Sequence, residues 1–197
     1  MQIGQRVGGD MIKMINRQLF GNDSTQSLSK ENFLAGFFAA LDDKALASVD
    51  SASMYVNTKA EEIRTKAIEA QYADYKKENE AFLAENKSKE GVKTTASGLQ
   101  YKVITEGKGE VPTAESRVKV NYKGTLIDGT EFDAREGMTF SAGHVIKGWT
   151  EALTMMPVGS KWELYVPQEL AYGSSATGKI KPFSTLIFEI ELLEIEK

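Results

Sequence analysis

The chain has 197 residues, 41% of them hydrophobic and 26% charged, with a net charge of −4 and a pI near 5.3, the composition of a globular protein with a core of ordinary size. The acidic balance argues against a nucleic-acid partner, which would need clustered Lys and Arg. With no cysteine and a single histidine, His144, disulfides, thiolate catalysis, cysteine metal sites and multi-histidine metal sites are excluded.

No apolar run approaches the roughly 18 residues of a membrane span, and Met1-Gln2-Ile3-Gly4 opens without the basic and apolar regions of a signal peptide. A cytoplasmic or periplasmic setting is therefore expected. In chain order, Ile3, Val7, Met11, Met14, Ile15 and Leu19 recur at spacings of three or four, the stripe of an amphipathic helix that Gly21-Asn22-Asp23-Ser24 ends. Ser29 is placed to cap a second helix carrying Phe33, Leu34, Phe37, Phe38 and Leu41. Asp50 or Ser51 then starts a long Glu/Lys-rich helix to about Lys89, with Gly91 as its cap; about 38 residues would span about 60 Å. Two short helices and one charged helix cannot enclose Phe33, Phe37 and Phe38, and a core this small rarely stands alone. A second copy of residues 1–48 would supply the cover, with Gly4, Gly8, Gly9 and Gly36 allowing close backbone approach. Packing back onto the C-terminal half is the alternative.

Character changes near Gly91, after which all four prolines fall. Leu99–Val103 and Val118–Tyr122 alternate as half-buried strands. Asp128-Gly129 marks a hairpin returning through Glu131-Phe132-Asp133. Val145–Met156 reads as one short helix stopped by Pro157-Val158-Gly159, Trp162–Val166 as a further strand, and Thr185–Ile195 as a long closing strand of apolar/acidic alternation. The fold class is α+β: an N-terminal all-α domain (1–48), a long linker helix (49–90), and an antiparallel β-sheet wrapped around a short helix (91–197).

Searches for a Gly-x-Ser-x-Gly elbow, a phosphate loop or a dinucleotide fingerprint find nothing. What remains is a set of apolar residues at element ends and in loops: Tyr122, Phe132, Val145, Ile146, Trp149, Tyr172, Ile180 and Phe188, with Asp133 as polar company. Singly, Trp149, Phe132 and Phe188 read as core. Together they suit a pocket for an apolar ring and an extended peptide better than a proton-transfer site. Trp162 reads as packing, and His144 as a solvated rim residue.

The stretches Val120-Asn121-Tyr122-Lys123-Gly124-Thr125-Leu126, Asp128-Gly129-Thr130-Glu131-Phe132-Asp133, Val145-Ile146-Lys147-Gly148-Trp149, Met156-Pro157-Val158-Gly159, Leu170-Ala171-Tyr172-Gly173 and Leu186–Leu193 resemble, in order and spacing, the FKBP-type peptidyl-prolyl cis–trans isomerases. The helical N-terminus and the junction Lys89-Glu90-Gly91-Val92 are similar to the bacterial macrophage infectivity potentiator branch. The resemblance implies Trp149 as floor under a substrate proline ring, with Tyr122, Phe132, Val145, Ile146 and Phe188 as walls. It implies peptide hydrogen bonds from the Ile146 N–H and the Tyr172 hydroxyl, Asp133 at the pocket edge near the rotating carbonyl, and Ile180 in an overhanging loop. Phe140 and Arg135 would complete the substrate contacts. No cofactor or metal is implied. The expected partners are proline-containing unfolded polypeptides, macrolide inhibitors and a second copy of the chain, the two long helices holding the catalytic domains apart like arms of a V.

Three departures from that pattern stand out. The connection Ala134–Thr139 is shorter than the family's, Lys147 stands where bacterial relatives tend to have proline, and Lys181 replaces the first of two prolines in the overhanging loop. They bear on substrate preference, not on the floor. A holdase chaperone or peptide-binding module with little isomerase activity is the alternative function.

Overall fold

The computed structural model describes residues 10–17, 20, 27–41 and 49–196. The stripe residues Ile3, Val7 and Leu19 and the turn Gly21–Ser24 lie outside them, as do Gly4, Gly8 and Gly9. The chain divides into two compact units, residues 1–70 and 71–197.

In the first unit residues 10–17 are helical. A second helix, α1, runs Lys30–Leu41, and its start is chemically specified. Ser29 Oγ accepts the Asn32 N–H at 3.2 Å and the Ser29 carbonyl takes the Phe33 N–H, so Ser29 is the N-cap. Asn16 Oδ1 accepts the Leu28 N–H at 2.8 Å, tying the first helix to the entry of the second. A Cβ built on Gly36 would meet no atom within 4 Å. Among the described residues, nothing uses the close approach that this glycine permits.

The long helix is two helices. α2 spans Val49–Gln71 and α3 spans Ala73–Asn86, separated at Tyr72 (φ −109°, ψ 17°). The interruption falls at the boundary between the two units, so α3 belongs to the C-terminal body. The helix ends at Asn86, and Gly91 follows in a left-handed conformation, φ +80°, which glycine adopts without a Cβ clash.

The second unit is a six-stranded antiparallel sheet in the order β1-β2-β5-β6-β3-β4. Its strands are β1 (Val92–Thr94), β2 (Gln100–Thr105), β3 (Arg117–Leu126), β4 (Glu131–Ser141), β5 (Lys161–Val166) and β6 (Leu186–Glu196). Period-two alternation gives the sheet one dry face. Val118, Val120, Leu126, Leu164, Val166, Leu186, Ile190 and Leu192 are buried there beneath the single short helix α4 (Lys147–Leu153), which contributes Trp149, Ala152 and Leu153. Gly148 lets α4 settle this low, because a Cβ there would stand 2.5 Å from Val166 Cγ1. The wet face carries cross-strand charge pairs such as Lys161–Glu189 (2.8 Å) and Lys119–Glu194 (3.1 Å). Trp162 packs flat on Tyr101, ring centroids 4.5 Å apart.

Two irregularities interrupt the ladder of β4. Val120 pairs with Met138 but Tyr122 with Arg135, so Glu136 and Gly137 together oppose Asn121. Gly137 takes φ +62° and donates its N–H to Asn121 Oδ1 at 2.8 Å. The short Ala134–Thr139 connection is thus no loop at all, but strand with one β-bulge. Gly124 pairs with Asp133 and Thr125 with Glu131, which leaves Phe132 as a second extra residue. The hairpin before it closes through Ile127-Asp128-Gly129, with Gly129 N–H on the Leu126 carbonyl and Leu126 N–H on that of Thr130. It is a three-residue loop with Gly129 at φ +83°, rather than a two-residue one.

Candidate active site

Consecutive residues on a strand point to opposite faces, yet Phe132 and Asp133 both line one cavity. The bulge at Phe132 is what allows it. Beside them, β3 supplies Tyr122, the approach to α4 supplies Val145 and Ile146, α4 supplies Trp149, and β6 supplies Phe188. The loop between Ala171 and Thr185 supplies Tyr172 and Ile180, and Phe140 closes the far side. The enclosed volume is about 390 Å³, at the small end of ligand sites.

Trp149 is 4% exposed and Phe188 5%. Around the indole, Tyr122, Phe140 and Phe188 all stand edge-on, with centroids at 5.0, 5.6 and 5.1 Å and interplanar angles of 81–84°. Phe132 meets Phe188 at 5.5 Å and 88°. Such T-shaped pairs put a ring's positive edge against its neighbour's negative face, which fixes each ring's tilt and makes a rigid basket. The indole Nε1 has no hydrogen-bond partner among the described residues, so polarity at the floor is confined to one buried N–H.

The polar groups sit at the rim. Tyr122 Oη donates to Asp133 Oδ2 at 2.5 Å; burial and then this bond to a carboxylate push its phenol up to about 12. The hydroxyl therefore stays protonated at neutral pH and aims the carboxylate. Ile146 forms the N-cap of α4 with its carbonyl on the Trp149 and Thr150 N–H groups, while its own N–H donates to no group among the described residues. Tyr172 is 40% exposed at the entrance.

All but one of the residues singled out in the sequence line this cavity. Arg135 does not: it lies against a neighbouring charged cleft with Asn121, Lys123 and Glu189. Its Nη1 donates to the Ala134 carbonyl at 2.9 Å and reaches Asp133 Oδ1 from outside at 3.4 Å. The strand that replaces a longer loop holds it on that side. His144 is exposed, its Nδ1 3.0 Å from Ser141 Oγ. Thr177, Gly178 and Lys179 also line the cavity and were not singled out. They form a tight turn closed by reciprocal Thr177 and Ile180 backbone bonds, and Lys179 Nζ ties it to the Glu131 carbonyl at 2.9 Å. Only their position just before Ile180 could have flagged them. Among the described residues no group of His, Asp and Glu could hold a metal ion, and no helix is long and apolar enough to cross a membrane.

Residues 108–193 match the family described as FKBP-type peptidyl-prolyl cis-trans isomerase, and residues 1–103 match the domain amino-terminal to it. The FKBP-type 22 kDa peptidyl-prolyl cis-trans isomerase of Escherichia coli is 46% identical over 187 residues, 90% of this chain and 89% of that one. The peptidyl-prolyl cis-trans isomerase Mip of Coxiella burnetii is 52% identical over 122 residues, and the chain spans about half of that relative's length (53%). Among solved structures, FkpA of Escherichia coli aligns with 99% of this chain and 93% of its own at TM-score 0.64 and 34% identity.

Proposed function

The chain belongs to the FKBP-type peptidyl-prolyl cis–trans isomerases, and from that premise we propose how its pocket turns an X–Pro bond. The barrier is about 18–20 kcal/mol, because resonance gives the C–N bond double-bond character. The two X–Pro isomers differ by only about 0.5–1 kcal/mol, so catalysis has to lower the barrier alone.

The proline ring sits on Trp149, walled by Tyr122, Phe132, Val145, Ile146 and Phe188, with Phe140 behind. Ile146 N–H and the Tyr172 hydroxyl hold the flanking peptide carbonyls, and Ile180 covers the slot. In the twisted amide resonance is lost and the carbonyl oxygen carries less negative charge than in the planar form. Water favours the planar form, and a dry basket withdraws that advantage. Asp133 acts in the same direction. A carboxylate held near the carbonyl by Tyr122 repels the more negative oxygen of the planar amide more strongly, so it favours the twisted one. Both effects are differential binding of the transition state. They need no covalent intermediate, and every 1.4 kcal/mol or so gained is a factor of ten in rate.

The observation that carries this reading is the aromatic basket around Trp149 with one oriented carboxylate at its edge. In a protease-coupled assay on a short X–Pro–Phe peptide, Trp149→Ala and Asp133→Ala should each lower kcat/KM about tenfold or more. Trp149→Ala also opens a core cavity at a cost of about 3–5 kcal/mol, so Asp133→Ala, which removes no core volume, is the cleaner arm. Full turnover in both would sink the assignment.

The proposal extends to the partners: proline-containing unfolded or partly folded polypeptides as substrates, macrolides that fill the same slot as inhibitors, and a homodimer through residues 1–48 with chaperone activity. A cytoplasmic or periplasmic setting suits such clients.

A further inference from the structure

The amino-terminal turns of α3 are fastened to a root of the loop over the pocket. Asn79 is 2% exposed; its Oδ1 accepts the Thr185 N–H at 2.7 Å and its Nδ2 donates to the Tyr75 carbonyl at 2.8 Å. Tyr75 Oη lies 3.0 Å from Ser184 Oγ. Because the Ser184 hydroxyl gives its one hydrogen to the Lys181 carbonyl, Tyr75 is the donor of that pair. Lys181 Nζ sits 5.2 Å over the Tyr75 ring, and Lys76 Nζ sits 5.0 Å over Phe183. Phe183 is buried and has φ +63°, a conformation that a bulky L residue keeps only where its surroundings impose it.

All these contacts fall on residues 181–185. That segment joins Ile180, which overhangs the cavity, to β6, which carries Phe188. A buried Asn is costly unless both ends of its amide are bonded, and here both are. The amide is therefore a fixed peg, and the buried Thr185 N–H, the last before the β6 ladder, loses its acceptor if that amide is removed.

We propose that Asn79 and Tyr75 are positioning residues for the isomerisation: through Thr185 and Ser184 they set the height of the overhanging loop, and so of Ile180 and Tyr172, over a bound X–Pro segment. This rests on the reading of the Trp149 basket as the active site. The loop touches substrate on binding and is not asked to change during rotation, so its misplacement weakens substrate and transition state alike.

The test is made in the full chain, in the X–Pro–Phe assay and well below the melting temperature, with Asn79→Ala, Tyr75→Phe, Ser184→Ala, the Tyr75→Phe/Ser184→Ala double variant, and Trp149→Ala and Asp133→Ala as the pocket controls. Asn79→Ala and Tyr75→Phe should raise KM by about three- to tenfold with kcat within about twofold. In the Ser184→Ala background Tyr75→Phe should add nothing, since its partner is gone. Unchanged KM in both single variants, beside a Trp149→Ala variant that has lost turnover, overturns the clamp and leaves the pocket assignment standing. A fall in kcat that merely tracks the folded fraction by near-ultraviolet circular dichroism also overturns it. Full turnover in both Trp149→Ala and Asp133→Ala overturns the pocket reading itself.

Discussion

Gly124 has no side chain because two rings already occupy its place. A Cβ there would stand 2.5 Å from Phe132 Cζ and 2.9 Å from Phe188 Cε1. Gly124→Ala should therefore cost about 1–3 kcal/mol by overpacking and lower kcat/KM as the rings yield, with urea melts and the peptide assay reading the two effects separately. Tyr122 predicts a pH dependence. Its folded phenol titrates near 12 and its unfolded one near 10, so between those values the unfolded chain releases its proton first. Stability is then fully present below about pH 10 and declines as pH rises towards 12. Tyr165, pushed up by burial and by its bond to Glu163, acts with the same sign. Thermal melts from pH 8 to 11.5 should show a falling Tm that Tyr122→Phe makes shallower. Arg135, outside the basket and 3.4 Å from an already bonded carboxylate, should give less than a twofold loss of kcat/KM as Arg135→Ala, in line with the small worth of exposed ion pairs. Aromatic identity and order made Tyr122, Phe132, Trp149 and Phe188 legible before any coordinates. Thr177 and Lys179 were not, because a polar residue in a loop carries no periodicity, and what commits these two is the turn they close.

At the scale of elements, strands were easier to read than the seating of α3. Alternation located β5 and β6 within a residue and the start of β3, which runs four residues beyond the Tyr122 where the reading stopped, since one face of each is dry. The bulge at Glu136-Gly137 in β4 leaves no trace in hydrophobic pattern, because it depends on Gly137 meeting Asn121 across the ladder. The break at Tyr72 was missed for a related reason: nothing in residues 70–74 is a helix breaker, and docking of the next turns on the sheet body decides it. That docking face is polar. Asn86 Nδ2 donates to Gln100 Oε1 at 3.0 Å, and Gln100 Nε2 donates to the Leu83 carbonyl at 2.9 Å. A hydrophobicity count sees only Phe82 and Leu83. Gln100→Leu should cost about 1–3 kcal/mol, since it takes away the Gln100 acceptor of the buried Asn86 amide; Gln100→Glu keeps an acceptor, and chemical denaturation should rank it between Gln100→Leu and the parent at neutral pH.

For the whole molecule, the chain divides into residues 1–70 and 71–197, and the proposed dimerisation and the isomerase pocket fall on different units. If residues 1–48 hold two copies together, their deletion should give monomers in sedimentation velocity. Turnover of a short peptide should stay within about twofold, because no pocket group comes from that unit, while acceleration of a proline-limited refolding reaction should fall, since avidity for a long chain is lost. The amino-terminal half was the less legible one: its helices follow from spacing, but whether a second copy or the rest of the chain covers their apolar faces is not encoded in one chain's pattern.

The unpaired edge of a β-sheet is a template on which another extended chain can add a strand. The two ends of this sheet are poor templates for such additions. β1 offers three residues, and β4 is kinked where Glu136 and Gly137 crowd opposite Asn121, with Glu131, Arg135 and Glu136 along its length. A kinked, charged border cannot be extended in register by a visiting strand. The interruption that re-aims β4 thus also blunts that border as a template for aggregation.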